Sequence, residues 1–355
     1  MQTPVTLLII GGYGATGRQA ARHLLKMLPQ ASVVLAGPAL HKATAAARRL
    51  GDRARGVGLD ATSHAAVSAA VSGADIVLLT TETGSETVAR ACLAHRRPLI
   101  TIAADAAVLR MFERVADAAR VAGVAMVTEV GLAPGLMNLM ARQIPARARR
   151  GASVDLVLQL GLTGDHGPEA IDWTLAQARI AGRALPLTPP LRDVGGRVIP
   201  MGFVNCDKLA AELGAAQIRA FLAVQPPWAT RWLPRIAPLL LAWPRLRTAT
   251  ERGIETLAPV FGADHATVAL VVSARLGDQI ETLRLTGKSQ SSITGRIAAG
   301  AVACIAADDG HHAGLISMAD LLEFDRLIAD LQLIGCTFER QRAAAEAAPR
   351  NHGVS

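Results

Sequence analysis

A glycine-rich segment near the N-terminus, GGYGATG at residues 11–17, has the spacing of a phosphate-binding loop. Gly12, Gly14 and Gly17 satisfy G-x-G-x-x-G between an apolar run and a helical repeat. In that setting the backbone approaches a pyrophosphate closely, and the helix amides and dipole bind it. The motif alone is a weak signal, because any tight strand-to-helix turn can carry it. We predict that a nicotinamide dinucleotide contacts six consecutive residues: Gly12, Tyr13, Gly14, Ala15, Thr16 and Gly17.

The end of the second apolar run, residues 33–36, bears on the choice between NAD and NADP. An acidic residue there binds the ribose 2′-hydroxyl of NAD, whereas a basic residue accepts the 2′-phosphate of NADP. The sequence has no acid at Gly37 or Pro38, and His41 and Lys42 could supply positive charge. We therefore predict NADP, with NAD as the alternative, and place Pro38 and Lys42 at the cofactor. Ordinary surface charge is the other interpretation of Lys42.

Polar residues also follow the third and fourth apolar runs. Asp60 closes the third run, and Thr80, Thr81 and Glu82 close the fourth. The carboxyl edge of a parallel sheet faces the bound dinucleotide. We predict that Asp60 contacts the adenine half and that the other three contact the nicotinamide half. A capping role is the alternative for each of the four.

Hydride transfer also needs a group that manages a proton. Tyr13 is the single tyrosine and lies in the glycine loop, which excludes the Tyr-x-x-x-Lys dyad of short-chain dehydrogenases. The remaining candidates are Asp105 and Glu129, near the ends of apolar runs, and His166 in TGDHGPEAID. An imidazole can exchange a proton at neutral pH, although the sequence around His166 favours a polar loop residue. We predict that the catalytic group is one of these three.

A regular alternation of short apolar runs and helical repeats over residues 1–130 positions these residues. Strands that alternate with helices predict an α/β fold with a doubly wound parallel sheet, here an N-terminal Rossmann domain. Longer runs and a turn at Gly277-Asp278 predict a second α/β domain, residues 131–290, with a mixed or antiparallel sheet. Residues 291–342 are predicted as C-terminal helices that pack back on the Rossmann domain, and residues 343–355 as a disordered tail.

The composition bears on partners and compartment. The net charge of +8 comes mostly from scattered arginines, without a basic stripe or zinc-finger spacing, so we predict no nucleic-acid partner. The four cysteines lie far apart, with no CxxC pair, which indicates reduced thiols and no metal site. The apolar start lacks a basic leader and a cleavage site. We therefore expect a cytoplasmic protein that acts on a small-molecule substrate.

The segment at residues 222–247 holds three tryptophans among prolines and arginines. Its longest apolar run, Ile236–Trp243, is far shorter than the ~20 residues that a membrane span needs. Three interpretations stay open: a lid over an apolar substrate pocket, a peripheral membrane contact, or a dimer surface. We expect the chain to form a homodimer.

Four segments of the chain carry a family likeness: GGYGATGR, VARACLAHRRPLITIAAD, VTEVGLAPGLMNLMA and DLLEFDRLIADLQLIGCTFE. The third is the most specific, with Gly131, Pro134, Gly135 and Asn138 in the pattern G-x-x-P-G-x-x-N. The chain resembles the saccharopine dehydrogenase-like family of NAD(P)-dependent oxidoreductases. Pro38 stands where its NADP-dependent members usually carry an arginine.

The resemblance implies a dinucleotide between a Rossmann domain and an α/β substrate domain, and we add Gly131 to the cofactor site. It also implies oxidation or reduction of a C–N bond, imine or amine, in a small metabolite. Reduction of a C=C bond in an apolar or lipid-like substrate is one alternative. A dinucleotide-binding sensor without turnover is another.

Overall fold

The structure is a computed structural model that describes residues 5–161, 168–186, 194, 196–202, 206–243, 245, 267–308 and 311–344. His166 and the segment at residues 345–355 lie outside this part of the chain. The chain divides into two compact units. The first unit comprises residues 1–139, 163–174 and 287–336, and the second comprises residues 140–162, 175–286 and 337–355.

The sheet of the first unit is a seven-stranded Rossmann sheet in which all six pairs of neighbouring strands are parallel. Its strands are β1 Thr6–Ile10, β2 Ser32–Gly37, β3 Ala54–Gly58, β4 Ile76–Leu79, β5 Leu99–Thr101, β6 Ala125–Thr128 and β13 Gly314–Ser317. The strand order β13-β6-β5-β4-β1-β2-β3 changes direction between β1 and β4. At such a switch point the carboxyl ends of the strands open a crevice in which ligands bind. The predicted doubly wound sheet is confirmed.

Helices connect the strands of the first unit, and each helix has one apolar face. The first is α1, Ala15–Met27, in which Ala20, Ala21, Leu24 and Leu25 recur at helical spacing and are buried. Four helices of similar pattern follow: α2 Leu40–Arg48, α3 His64–Ser72, α4 Ser85–His95 and α5 Ala106–Ala122.

The C-terminal helices return to the first unit, as predicted. Helix α11, Gln290–Ala306, packs against α1 and is buried along most of its length. Two short helices follow, α12 Met318–Leu321 and α13 Phe324–Gln332. Leu322 and Glu323 have extended backbones and separate these two helices. Strand β13, which precedes α12, was not predicted.

The second unit contains a mixed sheet in the order β14-β12-β11-β7-β10-β9-β8. Its strands are β7 Ser153–Gly161, β8 Leu185–Pro186, β9 Arg197–Met201, β10 Gln217–Gln225, β11 Val268–Leu276, β12 Gln279–Gly287 and β14 Thr337–Ala344. Strands β7 and β10 are parallel, whereas β11 is antiparallel to β7 and β14 to β12. The predicted mixed sheet is confirmed, and β14 adds to it residues 337–344, which the sequence analysis placed in the C-terminal helices and the tail.

The remaining helices are α6 Met137–Arg142, α7 Ala146–Arg149, α8 Pro168–Ala181, α9 Cys206–Leu213 and α10 Pro227–Ala242. None of the helices in the described part of the chain combines the length and the apolar character that crossing a bilayer requires.

His23 on α1 lies where α11 packs against that helix. Its Nε2 is buried and has no hydrogen-bond partner among the described residues. Burial above all, and then the positive charges of Arg296, Lys26 and Arg22, lower the pKa of His23 from 6.5 to about 4. The ring is therefore neutral at neutral pH.

This histidine should make the fold sensitive to acid. Because its folded pKa lies below the unfolded one, the unfolded chain binds an extra proton between the two values, so stability is lost as pH falls from 6.5 toward 4. We expect the free energy of unfolding to drop by about 1–2 kcal/mol between about pH 7 and about pH 5 from this group. Urea unfolding of His23→Gln should lack this part of the pH dependence. The exposed His64→Gln serves as the control, and equal pH dependence in both variants would refute the assignment.

Candidate functional site

The glycine loop joins the end of β1 to the start of α1. The amides of Gly11 and Gly12 donate to the carbonyl of Ala36 at 2.9 and 3.1 Å, and that of Gly14 donates to the carbonyl of Gly11 at 2.9 Å. Gly14 is the N-cap of α1, and in the described structure no side chain caps this helix and no acid lies in its first turn. The first-turn amides, those of Ala15 onward, therefore face outward without a competing carboxylate. This is the arrangement that binds phosphate.

Close packing explains why the loop needs glycine. A Cβ at Gly17 would lie 2.6 Å from the carbonyl oxygen of Gly11 and 2.8 Å from the Cα of Gly12, so a side chain there would force α1 away from the loop. Gly14 is different, because it is exposed and the nearest atom to its Cβ would be the Gly11 carbonyl oxygen at 3.1 Å. Gly17 is thus required by the fold, whereas Gly14 leaves room at the helix N-terminus.

Tyr13 lies on the side of the loop that faces the end of β2. Its ring lies against Gly37 so closely that a Cβ there would overlap it, and its hydroxyl accepts from the amide of Ala39 at 3.4 Å. Beyond β2 an open depression begins, and no acid lines it. Two basic side chains do, those of His41 and Arg48, while Lys42 is exposed outside the lining. The full lining is Pro38, Ala39, Leu40, His41, Thr44, Ala45 and Arg48.

Asp60, at the end of β3, caps the turn that leads into α3. One carboxylate oxygen accepts from the amide and the hydroxyl of Thr62, at 2.9 and 2.7 Å. These hydrogen bonds hold the pKa of Asp60 below its usual value. The carboxylate therefore stays charged at neutral pH and is exposed, and its contact with the adenine half stays a prediction.

The three polar residues after β4 also have local partners. The hydroxyl of Thr80 donates to the carbonyl of Ile10 at 3.0 Å, and the Thr81 hydroxyl accepts from the amide of Thr83 at 3.2 Å. The carboxylate of Glu82 accepts from the amides of Ala104 and Asp105, at 3.1 and 2.9 Å. These contacts fix the loops after β4 and β5 at the sheet edge, and none of the three side chains caps α4, whose N-cap is Gly84. Their contact with the nicotinamide half stays a prediction.

Glu129 follows β6 at the same edge and has an unusual backbone. Its φ of 60° lies in the left-handed region, where residues other than glycine are uncommon and often functional. Its carboxylate accepts from the hydroxyl of Ser317, at the end of β13, at 2.9 Å. A Cβ at Gly135 would overlap the carbonyl oxygen of Glu129. The G-x-x-P-G-x-x-N segment, which contains Gly135, therefore packs against Glu129 and holds it in place.

The structure distinguishes the predicted proton-handling residues. Asp105 is the N-cap of α5, and its carboxylate accepts from the amides of Ala107 and Val108 at 2.7 and 3.2 Å. Its acceptor oxygen is thus already used in holding the helix. His166 lies outside the described residues. Glu129 is the candidate that the structure presents in a strained position beside a hydroxyl.

The sequence analysis missed two residues of the candidate site, Ser317 and Arg48. Ser317 comes from β13, a four-residue strand whose weak apolar pattern gave no signal. Arg48 lines the depression beyond β2, one helical turn after Thr44. Its spacing of seven residues from His41, two turns on a helix, is the signal that could have found it.

Gly131, which was predicted at the cofactor, lies beside α11, where its Cβ would meet a Thr294 methyl at 3.3 Å.

The topology and the open helix N-terminus define a dinucleotide-binding Rossmann domain. Residues 7–130 match the sequence model of the saccharopine dehydrogenase NADP binding domain. This match covers the Rossmann domain and agrees with the resemblance that its motifs predicted, and the chain is an NAD(P)-dependent oxidoreductase.

The chain is also similar to two individual proteins. A 3-hydroxyacyl-CoA dehydrogenase type-2 of Drosophila melanogaster is 29% identical over 236 residues, which is 63% of this chain and 84% of that protein. The solved structure of apo saccharopine dehydrogenase (L-Glu forming) from Saccharomyces cerevisiae has a TM-score of 0.62 at 14% identity. The likeness covers 96% of this chain and 100% of that one, which shows the fold.

Proposed function

We propose that the chain transfers a hydride between NADP(H) and a C–N bond of a small metabolite, and that Glu129 stabilises charge or moves the proton at the nitrogen. The observation that carries the proposal is the left-handed Glu129, hydrogen-bonded to Ser317 at the carboxyl edge of the Rossmann sheet. In the strand order, β2 lies on one side of the switch point and β6 on the other. A dinucleotide across that point puts adenosine toward β2 and nicotinamide toward β6.

The type of residue favours C–N chemistry over carbonyl reduction. Hydride loss from an amine leaves a cationic iminium, which a carboxylate stabilises, whereas hydride addition to a ketone creates an alkoxide, which needs a donor. The single tyrosine is Tyr13 of the glycine loop, and its hydroxyl contacts the amide of Ala39. A carboxylate without a phenol donor therefore fits an imine or amine best.

The preference for NADP rests on the depression beyond β2. It has no acid to bind a ribose 2′-hydroxyl, and His41 and Arg48 line it. A guanidinium there pairs with a 2′-phosphate through charge-assisted hydrogen bonds. Lys42, one residue after His41, adds positive charge to the same end of α2.

Replacing Arg48 should therefore change cofactor choice. We expect Arg48→Ala to weaken NADPH binding by roughly tenfold and to leave NADH binding unchanged, because only NADPH carries the 2′-phosphate. Arg49→Ala removes the same charge from a neighbouring exposed residue outside the lining and is the matched control. Fluorescence titration with both cofactors measures the ratio. Equal losses for the two cofactors, or for the two variants, would refute this role for Arg48.

A substrate panel tests the reaction type. NADPH oxidation is followed with cyclic imines, with α-keto acids plus amines, with ketones and with enoyl thioesters. We expect turnover with the first two classes. Turnover of the enoyl thioesters alone would replace C–N reduction with C=C reduction, and cofactor binding without turnover in any class would favour a sensor.

A further inference from the structure

Helix α10 carries an exposed apolar stripe. The stripe consists of five residues at helical spacing, and each of them is exposed to solvent: Trp228, Trp232, Ile236, Leu239 and Trp243. Their exposed fractions lie between 40% and 64%, and they make up five of the ten large apolar side chains that are exposed in the described structure. Contiguous exposed apolar surface of this kind marks an interaction site.

The opposite face of α10 holds the helix firmly on the second sheet. Ala229, Leu233 and Ala237 are buried on that face. The buried hydroxyl of Thr230 accepts from the amide of Val224 at 2.6 Å and donates to its carbonyl at 2.7 Å. The helix is therefore anchored with its tryptophan face outward.

The positive charges around the stripe indicate what kind of partner binds this face of α10. From Pro226 to Thr250 the sequence has four arginines, no lysine and no acid. The guanidinium carbons of Arg231 and Arg235 lie 5.9 and 5.2 Å from the ring centre of Trp232, along one flank of the stripe. The strands that α10 contacts, β9 and β10, contain no acid either.

We propose that α10 lies in the surface of an anionic lipid bilayer, with the tryptophans at the level of the headgroups and the arginines paired with lipid phosphates. Amphipathic helices with aromatic and arginine side chains bind this interface. A symmetric pairing of two copies through the same stripe would bring the arginines of both copies into one interface, and α10, β9 and β10 contain no acid to offset them. Anionic lipid offsets these charges instead.

Vesicle flotation of the full chain tests the proposal. We expect binding to vesicles of phosphatidylcholine and phosphatidylglycerol at a ratio of two to one, little binding to phosphatidylcholine alone, and release by salt. Trp232→Glu should abolish binding. The double variant Arg231→Gln/Arg235→Gln should weaken it by about fivefold per arginine. Leu333→Glu places the same charge at a residue that is 82% exposed on the first unit and should bind like the native chain.

A second readout does not depend on variants. Three of the four tryptophans of the chain lie in the stripe, so the fluorescence of the native protein should shift to the blue on anionic vesicles and be quenched by brominated lipid. Native protein that does not float, or Trp232→Glu that floats as the native chain does, overturns the proposal. A Trp232→Glu variant that turns a dimer into a monomer, without vesicle binding by the native chain, assigns the stripe to a second copy instead.

Discussion

Glu129→Gln is expected to lower kcat by about 10²–10⁴-fold, the range that a positioned acid or base contributes. The amide keeps the size of the carboxylate and can still contact Ser317, whose hydroxyl now donates to Glu129 at 2.9 Å. It cannot take up a proton or balance an iminium charge. Because the side chain is not part of the glycine loop, NADPH affinity should stay within about twofold of the native value. Single-turnover NADPH oxidation with the active imine, beside a cofactor titration, separates the two quantities.

Asp105→Asn is the matched control for this variant. Its carboxylate caps α5, a role that asparagine also fills, so both stability and kcat should stay close to the native values. The account of Glu129 fails if Glu129→Gln retains native turnover, or if the two variants lose kcat equally.

Gly14→Val should lower NADPH affinity by roughly a hundredfold, or about 3 kcal/mol, without unfolding the protein. Gly14 is exposed at the N-cap of α1, where a side chain meets the fold only at the Gly11 carbonyl oxygen but occupies the space in front of the helix amides. Calorimetric titration with NADPH measures the affinity, and circular dichroism checks the fold. Gly300→Ala, in α11 with no atom within 4 Å of its Cβ, is the neutral control.

Gly17→Ala gives the contrasting result. Its Cβ would strike backbone at 2.6 Å, so this variant should lose thermal stability as well as binding. If Gly14→Val binds NADPH as tightly as the Gly300→Ala control, the phosphates do not lie at the start of α1.

The sequence predicted the elements whose pattern is local. The fourth apolar run, Ile76–Leu79, is buried on all four residues and forms β4. The turn at Gly277-Asp278 joins β11 to β12 as predicted, since it depends on a glycine with a positive φ, here 58°.

Elements whose stability comes from distant partners were harder to predict. Helix α10 contains Pro234 and Pro238, which oppose a helix, but its buried face packs on β10 and outweighs that preference. Strand β13 has only four residues and exists because β6 pairs with it.

The candidate site likewise combines local features, which were predicted, with features that depend on distant residues, which were not. The open N-terminus of α1 is a local property of the glycine loop and was predicted from its spacing. The position of Glu129 was predicted, but its left-handed backbone and its bond to Ser317, 188 residues away, depend on the folded sheet. The cap formed by Asp105 was not predicted, because an aspartate before a helix satisfies both a capping and a catalytic interpretation.

Hydrogen–deuterium exchange with and without saturating NADPH tests most directly where the cofactor binds. The account predicts strong protection of the amides over residues 12–17 and weaker protection over residues 38–48, where the adenosine phosphate would contact α2. Unchanged exchange over residues 12–17 in the presence of bound NADPH would contradict the account.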